Sequence, residues 1–214
     1  MRQSRYPGYD VLAKSGGVSW NDASRRTLES RLATPREPRF FTAEQWETLL
    51  AVCRCILPQP PDRAAVPIGA LIDARLFSGR TDGFRLAELP EQDEAWRRGL
   101  AALDAEAQAA YGDRFPRLAA EQQHELIRRM QRGELKHACW GDMPSGTFFK
   151  QRLLRDIASA YYSHPTAWSE IGFGGPASPR GYVRMDFNRR DPWEAAEAKP
   201  GRELQALREN LDVA

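Results

Sequence analysis

Cysteine, long apolar runs and a surplus of one charge are all scarce in this chain, and each scarcity removes a class of protein. The three cysteines, Cys53, Cys55 and Cys139, are too few and too oddly numbered for a disulfide framework, which fits a reducing compartment. No run of about 18 apolar residues occurs, so no stretch can span a bilayer as a helix. The opening MRQSRYPGYDVLAKSGG has basic residues without the apolar core of a secretory signal, and Arg25-Arg26 leads into polar TLESRLATPRE rather than an export signal. The expectation is a cytoplasmic chain, periplasmic only if a partner carries it. With 31 basic against 29 acidic residues the formal charge is +2, which argues against nucleic-acid binding driven by a large positive field. Lysine is limited to Lys14, Lys136, Lys150 and Lys199. Strand-like alternation of any length is missing, and so is an internal repeat.

Catalytic signatures are missing as well. There is no GxSxG, and His124, His137 and His164 lack flanking residues that mark a triad. Gly172-Phe173-Gly174-Gly175 follows a helical stretch and is broken by Pro176, so it lacks the strand–turn–helix setting of a nucleotide-binding loop. His137-Ala138-Cys139 and Cys53-Arg54-Cys55 do not have the CxxC or HxxxH spacing that lets neighbouring ligands close on zinc. Asp104, Glu106, Asp156 and Glu170 lie in acid-rich helical sequence, where carboxylates usually face water. The residues therefore suggest no catalytic, cofactor-binding or metal-binding site in this chain.

What is present is helix. An all-α fold is expected, with residues 1–38 as an arm and short helix, 39–185 as a compact helical domain, and 186–214 as a polar tail with a last helix. Thr42-Ala43-Glu44-Gln45 reads as a capping box, with Phe41 and Trp46 placed for a hydrophobic staple. Pro58 ends that helix and Pro67 opens the next. A long helix runs from about Pro90 to Ala110 and closes at Tyr111-Gly112. Leu126, Ile127 and Met130 face inward on the one after it. Phe149, Leu153, Ile157 and Tyr161 recur at steps of four, with Leu154 and Ala158 widening the stripe, until His164-Pro165 stops the helix.

Beyond that stop the composition changes to glycine, proline and aromatics, which cannot bury themselves by periodicity. Tyr162, His164, Trp168, Ile171, Phe173, Gly174, Gly175, Pro176 and Tyr182 are the candidate partner-binding residues, a rigid path displaying large amphipathic side chains. His164 also suits a helix cap.

The order of these pieces, FFTAEQWETLLAVCRCILP, ALIDARL, WRRGLAALDAEAQAAYGDRFPRLAAEQQHELI and FFKQRLLRDIASAYYSHPTAWSEIGFGGPASPRGY, resembles the gluconate 2-dehydrogenase subunit 3 family. Its most specific parts are RxGLxALDxxAxxxYGxxFxxL, from Arg97 to Leu118, and YYSHPxxWxxIGFxGP, from Tyr161 to Pro176. The resemblance implies a mainly helical, noncatalytic subunit of a flavin-dependent dehydrogenase of the glucose-methanol-choline type. It implies that the partner holds FAD and oxidises a sugar, sugar acid or alcohol, with electrons leaving toward a quinone or toward a cytochrome, itself a candidate further subunit of the complex. The missing twin-arginine signal departs from exported members of the family. The alternative reading is a free-standing helical enzyme that uses His164 or His137 in a pocket.

Overall fold

The computed structural model describes residues 4–17, 20–34, 36–61, 64–84, 86–176, 181, 187, 189–191 and 193–213. Among them the regular structure is all helical: α1 Asp22–Leu32, α2 Ala43–Ile56, α3 Ile68–Phe77, α4 Gln92–Tyr111, α5 Ala120–Arg132, α6 Ser145–Phe148, α7 Arg155–Ser163, α8 Pro165–Trp168 and α9 Glu203–Leu211. A π-wound stretch, Phe149–Leu154, joins α6 to α7. The chain divides into two compact units, one of Thr34–Tyr161 and one built from both ends, Met1–Ala33 with Tyr162–Ala214. The N-terminal arm and the C-terminal tail, read from sequence as separate pieces, thus share a unit.

In Thr34–Tyr161 the local signals act as expected. The Thr42 hydroxyl accepts from the Gln45 N–H and the Gln45 side chain accepts from the Thr42 N–H, satisfying two backbone donors at the start of α2. Gly112 and Gly133 end α4 and α5 in the left-handed conformation. The core is strung on aromatic rings packed largely edge to face, Phe41 on Trp96 at 6.2 Å and Trp96 on Phe148 at 5.9 Å, with Trp140 at 5.8 Å from Phe148. Phe41 is committed to that stack, while Trp46 faces α3 at Gly69.

Gly99 explains its own place in the RxGLxALD segment. A Cβ there would sit 2.2 Å from Cζ of Phe148, so the glycine is the floor on which that ring rests. On an exposed helix face Gly→Ala gains up to about 1 kcal/mol. Here Gly99→Ala is expected to lose about 1–3 kcal/mol, because the buried ring must move; urea denaturation gives the sign directly.

The helical stripe departs from a simple repeat in one place. Phe149, Leu153, Ile157 and Tyr161 are buried as expected, but Leu154 is exposed and Arg152 is buried in its stead. The wider π turns change the angle between successive residues, so an α-helical projection misplaces side chains across 149–154.

In the other unit the arm is not laid out for a foreign surface alone. Tyr9, Val11, Trp20, Leu28, Trp168 and Val213 form one apolar core, with Tyr6, Leu12 and Ala195 packed on it. Asn210 of α9 ties the ends together: its side chain donates to the Pro7 carbonyl at 2.9 Å and accepts from the Ala196 N–H at 2.6 Å. Asn21 caps α1, its side chain accepting from the Ser24 N–H.

Candidate partner-docking surfaces

The glycine–aromatic segment contains more helix than its composition suggests. α7 ends at Ser163, His164 is extended, and Pro165 opens α8, since a proline in the first turn sacrifices no helical hydrogen bond. Nδ1 of His164 accepts from the Thr166 N–H at 3.3 Å, so the imidazole is the cap of α8. A 3-10 turn, Ser169–Ile171, follows, and Gly172 leaves it with φ +66°.

The same segment is anchored from below. Trp168 is 3% exposed, and its Nε1 donates to the Tyr162 carbonyl at 2.9 Å. Ser169 Oγ accepts from the Val11 N–H at 3.1 Å. A Cβ at Gly172 would lie 2.5 Å from the Tyr6 ring, and one at Gly175 2.6 Å from the Trp20 ring, so these two glycines admit the arm against the segment. Gly174 and Pro176 are partly buried beside them.

On this base three apolar side chains remain open. Tyr162 and Ile171 are each 45% exposed, and Phe173 is 36% exposed although its ring meets Trp168 edge-on at 5.2 Å. The candidate set thus divides into a buried or partly buried group, His164, Trp168, Gly174, Gly175 and Pro176, and a displayed group, Tyr162, Ile171 and Phe173. Tyr182 lies outside the described residues. Arg31 reaches the segment too, donating to the Ser163 carbonyl at 2.9 Å with its guanidinium over the Trp168 ring.

The unit Thr34–Tyr161 carries a second apolar display that sequence reasoning did not identify. Phe77, Phe84, Leu86 and Leu154 are exposed; Arg39 lies over the Phe77 ring at 4.4 Å and Arg155 over the Phe84 ring at 5.1 Å. The only sequence hint was Phe77 at the end of α3 and Phe84 in the polar connection that follows.

Beneath Phe84 and Arg155 sits a cluster of buried charge. Asp82 pairs with Arg75, with Arg152 at 2.9 Å and with Arg155 at 3.5 Å. Asp156 accepts from Trp96 Nε1 at 2.9 Å and lies 3.8 Å from Arg75. Burial pushes the Asp82 carboxyl up, but hydrogen bonds from Arg152 and Arg75 and the charges of Arg75 and Arg155 outweigh it and hold it below its ordinary value. For Asp156 burial wins, and its carboxyl is raised despite Trp96, Arg152 and Arg75.

Three of the four acids expected to face water, Asp104, Glu106 and Asp156, are instead structural anchors. Asp104 holds Arg114 at 3.0 Å and accepts from the Phe115 N–H at 3.1 Å. Glu106 accepts from the His137 N–H at 2.6 Å and from Trp140 Nε1 at 3.2 Å. Asp73 accepts from three successive backbone N–H groups, Arg39, Phe40 and Phe41, at 2.8, 2.9 and 3.1 Å, fixing the path into α2. His137 Nδ1 in turn accepts from the Cys139 N–H, and His124 is exposed. Among the described residues no three His, Cys, Asp or Glu side chains are grouped to hold a metal ion, and no helix is long and apolar enough to cross a membrane.

Compared with known proteins, residues 43–175 match the family model described as gluconate 2-dehydrogenase subunit 3. Neither a curated protein nor a solved structure matches the chain.

Proposed function

The chain belongs to the gluconate 2-dehydrogenase subunit 3 family, and from that premise we propose a noncatalytic subunit that binds and stabilises a FAD-dependent dehydrogenase of the glucose-methanol-choline type. In this reading the partner holds FAD and removes hydride from a sugar, sugar acid or alcohol, and the electrons leave toward a quinone or a cytochrome subunit of the same complex. The two proteins meet in the cytoplasm, where the small subunit is made.

The observation that carries the proposal is the mounting of Tyr162, Ile171 and Phe173. They are open to solvent, yet the backbone beneath them is fixed by Trp168, by the His164 cap and by the arm. A rigid frame loses little entropy on association, so exposed rings on it convert burial into affinity efficiently. The arginine-bordered rings Phe77 and Phe84 offer a second contact of the same kind.

Co-expression with a flavin-dependent dehydrogenase of the glucose-methanol-choline type from the same organism tests the reading. Soluble, flavin-loaded dehydrogenase is expected to co-purify with the chain. Tyr162→Ser with Ile171→Ser is expected to reduce that yield at least tenfold with an unchanged circular-dichroism spectrum. If no flavoprotein co-purifies, and the dehydrogenase is equally soluble and active without the chain, the proposal is wrong.

A further inference from the structure

We propose that the cavity between α2 and α3 binds a small amphiphile with an apolar body and one anionic head. The cavity measures about 430 Å³, within the range of small-molecule sites, and Trp46, Leu50, Leu57 and Val66 make its apolar wall. Arg36 and Arg54 also line it, and both are exposed, which puts them on its open side. Neither guanidinium forms an ion pair or hydrogen bond with the described residues, whereas Arg75, Arg98, Arg114, Arg132 and Arg152 of the same unit all have carboxylate partners. Two cations without a carboxylate partner among the described residues, beside an apolar hollow, complement a ligand that is apolar at one end and anionic at the other.

The cavity is also held open by its own structure. The Gln59 side chain clamps Val66 with two bonds, accepting from its N–H at 2.7 Å and donating to its carbonyl at 2.9 Å, which fixes the connection that forms one wall. At the floor, a Cβ on Gly69 would lie 2.9 Å from Leu50 and 3.3 Å from Trp46, so α3 is already seated on α2 and cannot close further. Cys53 adds no negative charge to the wall, because burial pushes its thiol up to about 12. The inference does not depend on the dehydrogenase partner.

The test uses the purified full chain, titrated with hexanoate, octanoate and decanoate and with the alcohols of equal length, followed by calorimetry and by tryptophan fluorescence. Saturable one-to-one binding of the acids is expected, tightening about fourfold per added methylene until the cavity is filled. The alcohols are expected to bind at least fivefold more weakly, and Arg36→Gln with Arg54→Gln should bring the acids down to the same level. Ala65→Trp, at an exposed position on the lining, should abolish binding without altering the circular-dichroism spectrum. The proposal is overturned by absence of saturable binding, by equal affinity for acid and alcohol, or by undiminished binding in Ala65→Trp.

Discussion

Asp82→Ala is expected to destabilise the protein by about 3–5 kcal/mol, the cost of leaving a buried cation without its counter-charge. The cation is Arg152, 3% exposed, whose ion pair to Asp82 is the one it makes among the described residues. Arg155→Ala removes a partner of the same carboxylate, but from a side chain 42% exposed, so a loss under about 1 kcal/mol is expected. Chemical denaturation of the two variants separates burial from charge count; equal losses would show that the cluster is solvated.

The same variant carries a pH signature. The folded-state pKa of Asp82 is depressed, so its contribution is present above the ordinary carboxylate range near ~4 and is lost as pH falls through the folded value. Asp156 has the opposite sign: its folded pKa is raised, so its contribution is full below the ordinary range and is lost as pH rises through the folded value. Asp82→Ala should therefore flatten the acid limb of the stability profile, while Asp156→Asn should steepen it and keep an acceptor for Trp96.

Trp168→Ala is expected to cost about 3–5 kcal/mol in the unit built from the chain ends, the range for truncating a buried aromatic. Among the described residues, Trp168 is the one residue of the glycine–aromatic segment in the core that also contains Tyr9, Val11 and Trp20 of the arm. Its loss should release the arm, read as rapid proteolysis near Tyr6–Val11 and a changed near-ultraviolet spectrum. Trp168→Phe retains most of the apolar area but leaves the Tyr162 carbonyl without its indole donor, so about 1–3 kcal/mol is expected. An arm that resists protease in Trp168→Ala would mean that its other ties, Val11 to Ser169, Arg5 to Ala198 and Pro7 to Asn210, hold it without the indole.

These two variants mark the border between what could be read along the chain and what could not. The positions of α2, α3, α4 and α5, and the caps at Thr42, Gly112 and Gly133, follow from residues within one turn of each boundary. The long spacing from Phe149 to Tyr161 also survived, because all four apolar residues do face the core. Leu154 did not, since π winding leaves no mark in composition. Nor was the inward turn of Asp73, Asp82, Asp104, Glu106 and Asp156 visible: a carboxylate goes inside only where donors meet it, and the donors lie elsewhere in the sequence.

By itself, then, the amino-acid order determined an all-helical chain, its breaks and the family to which its central blocks belong, because caps, prolines and glycines act on neighbours a few residues away. Tertiary structure alone decided that Asp82 meets Arg152 across 70 residues and that the arm covers Trp168, with Val11 bonded to Ser169 across 158. Such pairings depend on desolvation and on donor geometry in three dimensions, and a linear pattern carries neither.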